Sequence, residues 1–92
     1  MNIVAEMSLY PLKDGPIPTI ISFIHALREQ PGIEIVTNQL STQVSGSFEA
    51  VTAAVNGCMR HVMQEPDTVV LVVKYLNVEK ELDRAPTLTP DD

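Results

Sequence analysis

The sequence has few aromatic, basic and sulfhydryl residues. Its 92 residues include no Trp, aromatics make up 4%, and six Lys and Arg stand against twelve Asp and Glu, for a formal net charge of −6. Because nucleic-acid phosphates and anionic membrane surfaces attract basic proteins, this balance argues against both as partners. The single cysteine, Cys58, excludes a disulfide within the chain and any multi-cysteine zinc or iron–sulfur site.

Long hydrophobic runs are also missing. No stretch approaches the roughly 20 apolar residues that a membrane-spanning helix requires, and residues 1–6 show no basic region and no cleavage signal. We therefore expect a cytoplasmic protein, and 92 residues allow one domain. A chain of this size buries a modest share of its surface, so we also expect it to associate with copies of itself.

The apolar periodicity predicts four strands and two helices in the order βαββαβ. This order is typical of the ferredoxin-like α+β fold, in which an antiparallel sheet of strand order 4-1-3-2 carries both helices on one face. The predicted strands cover residues 2–10, 33–38, 40–46 and 68–77, and the predicted helices cover residues 17–30 and 47–64. The domain spans residues 1–78, followed by a charged, Pro- and Thr-rich tail at residues 79–92.

Alternation along the strands divides their side chains between two faces of the sheet. The face expected to pack on the helices carries Ile3, Ala5, Met7, Leu9, Ile33 and Ile35. The opposite, open face is expected to carry Val4, Glu6, Ser8, Val36, Gln43 and one side of the last strand. Because exposed valines are seldom left to water, the open face predicts a homodimer or homotetramer. The apolar helix stripes are Ile17, Ile20, Ile21, Ile24 and Leu27, then Phe48, Val51, Val55, Cys58 and Val62.

Small polar side chains collect where three predicted strands begin or end. In the predicted sheet, the end of the first strand, the end of the second and the start of the third meet at one edge. The residues brought there are Ser8, Tyr10, Thr37, Asn38, Ser41 and Thr42. Hydroxyls and amides suit hydrogen bonding to a small molecule, and they suit catalysis poorly because no nucleophile stands beside a base. The alternative is that they are ordinary strand and turn residues.

Glu6 is the one carboxylate in a strand expected to be central, so it must be paired or hydrogen-bonded. Two interpretations stay open: Glu6 pairs with Lys74 on the neighbouring strand, or it binds a ligand's amine or cationic ring. His25 and His61 have no Asp, Cys or second His at a metal-ligand spacing, so no metal and no cofactor are predicted.

Several short motifs resemble those of the family of small thiamin/hydroxymethylpyrimidine-binding proteins. They are Ser-Leu-Tyr-Pro-Leu at residues 8–12, Thr-Asn at 37–38, Ser-Thr at 41–42, and Gly46 followed by Phe48, and the resemblance extends from Asn2 to Asn77. It implies a ferredoxin-like fold, dimers or tetramers formed through the sheets, and binding of thiamin or its pyrimidine precursor without catalysis. On the geometry of the predicted sheet, the residues expected to bind the ligand are Glu6, Ser8, Tyr10, Thr37, Asn38, Ser41 and Thr42.

Two other functions stay open. One is a structural or regulatory homo-oligomer that has no thiamin ligand. The other is a small enzyme of the same fold, in which Glu6 or one of the isolated histidines would have to act as the base. The loop at residues 10–16 lacks the arginine and glycine cradle of an acylphosphatase and the Cys-x-x-Cys of a copper chaperone.

Overall fold

The computed structural model describes residues 1–77, and the predicted tail at residues 79–92 lies outside the described residues. The elements are β1 (Asn2–Pro11), α1 (Ile17–Arg28), β2 (Ile33–Thr37), β3 (Thr42–Ser47), α2 (Phe48–Val62) and β4 (Val69–Leu76). Each predicted boundary lies within two residues of the observed one. The sheet order is β2-β3-β1-β4 and every neighbouring pair is antiparallel. The predicted ferredoxin-like α+β fold is confirmed.

Local sequence signals set the ends of the two helices. Pro16 occupies the N-cap position of α1, where its missing N–H costs no hydrogen bond. Gly32, at φ +76°, lets the chain turn into β2 in a backbone conformation that other residues rarely adopt. Ser47 caps α2, because its hydroxyl accepts a hydrogen bond from the Ala50 N–H at 3.1 Å. No helix within residues 1–77 combines the length and the apolar character needed to cross a membrane.

The hydrophobic core lies between the two helices and one face of the sheet. Its buried members are Ile3, Ala5, Met7, Phe23, Leu27, Val44, Val51, Ala54, Val55, Cys58 and Val62, with Leu9, Ile33 and Ile35 packed against them. The residues predicted to face the helices therefore do so. Cys58 is buried, as expected, and burial raises the pKa of its thiol to about 11. The raised pKa keeps this thiol protonated and unreactive at neutral pH.

The predicted apolar stripe of α1 is wrong in part. Ile17 and Ile21 are 59% and 48% exposed, while Thr19 and Phe23 are buried. Thr19, Phe23 and Leu27 form a second stripe with helical spacing, and this stripe packs into the core. The first residue of the α2 stripe is also wrong, because Phe48 is 45% exposed. It lies at the helix start, where its N–H donates to the Met1 carbonyl at 2.9 Å.

The register of β1 with its neighbours defines the open face. Val4, Glu6, Ser8 and Tyr10 lie opposite Leu76, Lys74, Val72 and Val70 of β4. On the other side, Glu6 lies opposite Gln43 of β3, which in turn lies opposite Val36 of β2. Val70, Val72 and Leu76 are each more than 40% exposed. The open face therefore presents an apolar strip along β4 beside a polar centre.

Candidate functional site

A pocket of about 320 Å³ lies between the middle of α1 and the edge of the sheet where β1 and β2 end and β3 begins. Topology creates it, because the antiparallel order brings those three strand ends together. The pocket is lined by Met7, Ser8, Leu9, Tyr10, Ile20, Phe23, Ile24, Thr37, Asn38, Gln39, Leu40, Ser41 and Thr42. An apolar pocket edged by a few hydroxyls and amides is a common form of small-molecule site.

The pocket brings together six of the seven residues predicted as the site. Ser8, Tyr10, Thr37, Asn38, Ser41 and Thr42 all line it. The seventh, Glu6, does not line the pocket but contacts Ser41 from the open face of the sheet.

Two of the six are threonines at the mouth of the β2–β3 hairpin. Thr37 and Thr42 are register partners, and Thr42 also lies opposite the core residue Met7. Both threonines therefore lie on the helix face of the sheet. Their hydroxyls hydrogen-bond each other at 3.1 Å, and Thr42 is buried. This pair places two hydroxyl groups on the sheet side of the cavity.

The segment between β2 and β3, here called the 38–41 loop, forms one wall of the pocket. Its fold depends on Asn38, whose Oδ1 accepts from the Leu40 N–H at 2.8 Å and from the Ser41 N–H at 3.1 Å. The Asn38 N–H donates to the Ser41 carbonyl at 3.1 Å. Asn38 is thus an Asx-turn residue, whose amide oxygen serves the loop's own backbone.

Glu6 is paired on both of its carboxylate oxygens. Oε2 accepts a hydrogen bond from the Ser41 hydroxyl at 3.1 Å, and Oε1 lies 3.8 Å from Lys74 Nζ. Gln43 Nε2 in turn donates to the Ser41 Oγ at 2.7 Å. Of the two interpretations of Glu6, the pairing with Lys74 is observed. We call Glu6, Ser41, Gln43 and Lys74 the open-face network.

Sequence reasoning missed the apolar walls of the pocket and one member of the network. Phe23 supplies a buried aromatic ring, and Ile20 and Ile24 supply the rest of the helix wall. The helical spacing of Ile20 and Ile24 predicted a core face, whereas Phe23 lay outside the predicted stripe, and nothing local indicated that this face extends beyond the core into a cavity. Gln43 was placed on the open face, but its bond to Ser41 depends on the loop conformation.

The two histidines take no part in the pocket. His61 Nε2 lies 3.1 Å from the Ser22 hydroxyl in an exposed contact between the helices, and His25 lies on α1. Among residues 1–77, no group of three or more His, Cys, Asp or Glu side chains is arranged to hold a metal ion.

A second, larger groove of about 540 Å³ lies at the opposite end of the sheet. It is lined by Met1, Ile3, Phe48, Thr52, Asn56, Tyr75, Leu76 and Asn77. Burial raises the pKa of the Tyr75 hydroxyl. The groove includes none of the residues predicted as the site, and its walls are mainly apolar.

Comparison with known proteins finds relatives among solved structures. No protein-family model matches the chain, and no curated protein matches it. A protein from Streptococcus pneumoniae is similar at 26% identity and a TM-score of 0.78, over 90% of this chain and 92% of that one. A candidate thiamine biosynthesis/salvage protein from Thermotoga maritima is similar at 21% identity and a TM-score of 0.71, over 82% of each chain.

A hypothetical protein from Methanocaldococcus jannascii is similar at 22% identity and a TM-score of 0.70, over 95% of this chain and 88% of that one. These similarities extend over nearly whole chains. They agree with the ferredoxin-like fold of this chain.

Proposed function

We propose that this protein binds thiamin or its hydroxymethylpyrimidine moiety without catalysing a reaction, and that the ligand occupies the pocket between α1 and the 38–41 loop. The observation that carries the proposal is the convergence of six predicted site residues on one cavity of about 320 Å³. That volume falls at the small end of the usual range for ligand pockets, about 300–1,000 Å³.

The lining matches the chemistry of an aminopyrimidine. Such a ring offers nitrogen acceptors and an exocyclic amine donor, which hydroxyl and amide groups can satisfy. The Thr37 and Thr42 hydroxyls lie on the side of the cavity formed by the sheet, and Asn38 lies on the side formed by the loop. Phe23 also lines this space, and aromatic faces favour stacking with a flat ring.

The acidic character of the protein suits a cationic thiazolium better than an anionic ligand. The formal net charge is −6, and none of the described residues that line the pocket is Lys or Arg. A phosphorylated ligand would therefore lack a cationic partner in this cavity. The similarity to the Thermotoga protein, described as a candidate for thiamine biosynthesis or salvage, adds support for the ligand class.

Self-association in the cytoplasm is part of the proposal. The partly exposed apolar side chains of Val70, Val72 and Leu76 on the open face favour a homodimer or homotetramer. The competing function is a structural or regulatory homo-oligomer with no ligand, which the same apolar strip supports. An enzyme would have to use Ser41, the pocket hydroxyl that donates to the Glu6 carboxylate at 3.1 Å, and no histidine among the described residues joins this pair, so an enzyme is disfavoured.

Calorimetric titration of the full chain with thiamin, hydroxymethylpyrimidine and the thiazole moiety separates these functions. Saturable binding of thiamin and of the pyrimidine, at one site per chain, is the expected result. Binding of neither compound, by a folded oligomer, would leave the structural role as the better account. Turnover of thiamin during the titration would point to the enzyme.

A further inference from the structure

We infer that Glu6 is a positioning residue of the pocket: it holds Ser41 from the open face of the sheet, and through Ser41 it fixes the 38–41 loop. The inference rests on the proposed function only for the identity of the ligand. It departs from the expectation that Glu6 contacts the ligand itself.

The first step is the location of Glu6 relative to the cavity. Its neighbours Ala5 and Met7 face the helices and belong to the buried core, so Glu6 lies on the other side of the sheet. It is not among the residues that line the pocket. A ligand in the cavity would therefore meet the loop before it met this carboxylate.

The second step is what the carboxylate does. Glu6 Oε2 accepts from the Ser41 hydroxyl at 3.1 Å, and Ser41 belongs to the loop that lines the pocket. The hydrogen bonds of Asn38 described above are made to Leu40 and Ser41 within the loop, and none of them joins the loop to β1. Among the described residues, the Ser41–Glu6 bond is the only side-chain hydrogen bond that joins the 38–41 loop to β1.

The third step is the division of roles within the open-face network. Lys74 lies 3.8 Å from the other Glu6 oxygen, and its side chain is 72% exposed, so this ion pair is expected to contribute little to loop order. The hydrogen bond to Ser41 needs an acceptor oxygen but does not need a charge. A glutamine at position 6 keeps that oxygen, whereas an alanine removes it.

Three variants test this without any ligand: Glu6→Gln, Glu6→Ala and Ser41→Ala. The readout is amide hydrogen exchange at Leu40 and Ser41, whose N–H groups bond to Asn38 within the loop. We expect exchange roughly 3- to 10-fold faster in Glu6→Ala and in Ser41→Ala, because each loses the hydrogen bond between Ser41 and Glu6; Ser41→Ala also loses the bond that Gln43 Nε2 donates to Ser41. The double variant should exchange no faster than Ser41→Ala alone. Glu6→Gln should stay within about twofold of the parent. Glu34→Ala, on the open face of β2 and exposed, is the matched control and should have no effect.

Binding of hydroxymethylpyrimidine supplies the second readout. The affinity should fall by a similar factor in Glu6→Ala and Ser41→Ala, and Glu6→Gln should bind like the parent. Equal losses in Glu6→Gln and Glu6→Ala would overturn the inference, because they would mean that the carboxylate charge contacts the ligand. Unchanged loop exchange in Glu6→Ala and Ser41→Ala would also overturn it. If the parent binds no pyrimidine, the proposed function fails, and the exchange measurement still decides the role of Glu6.

Discussion

Asn38 holds the 38–41 loop together and also lines the candidate pocket. Its Oδ1 is engaged by two backbone N–H groups of the 38–41 loop, and the same residue lines the pocket. The acceptor side of the amide therefore serves the loop, which leaves the Nδ2 donor as the group that Asn38 would offer to a ligand in the proposed site. Asn38 would then shape the wall of that site and contribute to binding at the same time.

Asn38→Ala should weaken thiamin binding by roughly 5- to 150-fold, the equivalent of about 1–3 kcal/mol for a lost ligand hydrogen bond together with a loosened wall. Calorimetry on the folded variant measures this. Asn56→Ala is the matched control, because Asn56 is exposed on α2 and lines the distant groove. Equal binding by parent and Asn38→Ala would contradict the assigned site.

Cys58 makes the free energy of unfolding depend on pH in the alkaline range. Burial raises the pKa of its thiol from 9.0 to about 11, so the unfolded chain loses this proton at lower pH than the folded one. The stability that the folded protein gains from holding this proton is present in full below pH 9, and it is lost as the pH rises from 9 to 11. Urea unfolding across that range should show a smaller decline for Cys58→Ala than for the parent. An identical decline in both proteins would exclude the thiol as the cause.

At the scale of elements, the hairpin that builds the pocket depends on a close approach of backbone at Gly46. This residue ends the helix-facing side of β3 at φ +157°, and a Cβ placed on it would lie 2.7 Å from the Gly32 carbonyl oxygen. The two glycines thus let β3 pass against the turn that leads into β2. Only glycine fits there without a shift of the backbone.

Gly46→Ala should therefore lower the free energy of unfolding by about 1–3 kcal/mol, as measured by urea denaturation. Gly57→Ala is the matched control. Gly57 is exposed on α2, and an added Cβ would come no nearer than 3.7 Å to the Gln30 side chain. Alanine there should raise the stability by about 0.5–1 kcal/mol, because it favours the helix. Equal effects of the two changes would contradict the packing described at Gly46.

The strands and helices could be predicted because their apolar patterns have different periods and extend over whole elements. The alternation of Ile3, Ala5, Met7 and Leu9 with more polar residues along β1 indicated a strand and its core face, and the capping serine before α2 indicated a helix start. The side of α1 that packs on the sheet was harder to predict. The helix carries isoleucines on two overlapping stripes, and only the packing against β1 distinguishes the buried Phe23 from the exposed Ile21.

The candidate site could be predicted in outline and not in detail. Strand order alone brings Ser8, Thr37 and Thr42 to one edge, and this much follows from topology. The direction of each polar atom depends on the register and on the loop conformation. The hydrogen bond from Ser41 to Glu6 forms only when the four-residue loop brings the Ser41 hydroxyl to β1, and no local sequence pattern predicts that loop conformation.

At the scale of the whole molecule, the open face of the sheet is the surface most suited to a second copy. It places Val36 of β2 and the partly exposed valines of β4 on the side of the sheet away from the helices. The Glu6–Lys74 pair lies between them, so an assembly through this face would also cover the open-face network. Oligomerisation and ligand binding would then share residues.

Val36→Lys should shift the protein toward the monomer, because a buried unpaired charge costs several kcal/mol, on the order of a hundredfold in the dissociation constant. Light scattering at micromolar concentration should give at least twice the 10.1 kDa chain mass for the parent and approach the chain mass for the variant. Ile21→Lys is the control, since Ile21 is 48% exposed on α1 and should leave assembly unchanged. A parent that scatters only as a 10.1 kDa species would refute self-association.

The most direct test of the central claim is an NMR titration of the full isotope-labelled chain with hydroxymethylpyrimidine. The account predicts saturable shifts in the amide signals of Ser8, Asn38, Ser41 and Thr42, at one site per chain. Signals from the opposite groove, such as those of Thr52 and Asn56, should stay in place. No shifts up to millimolar ligand, or shifts confined to the opposite groove, would contradict a pyrimidine site between α1 and the 38–41 loop.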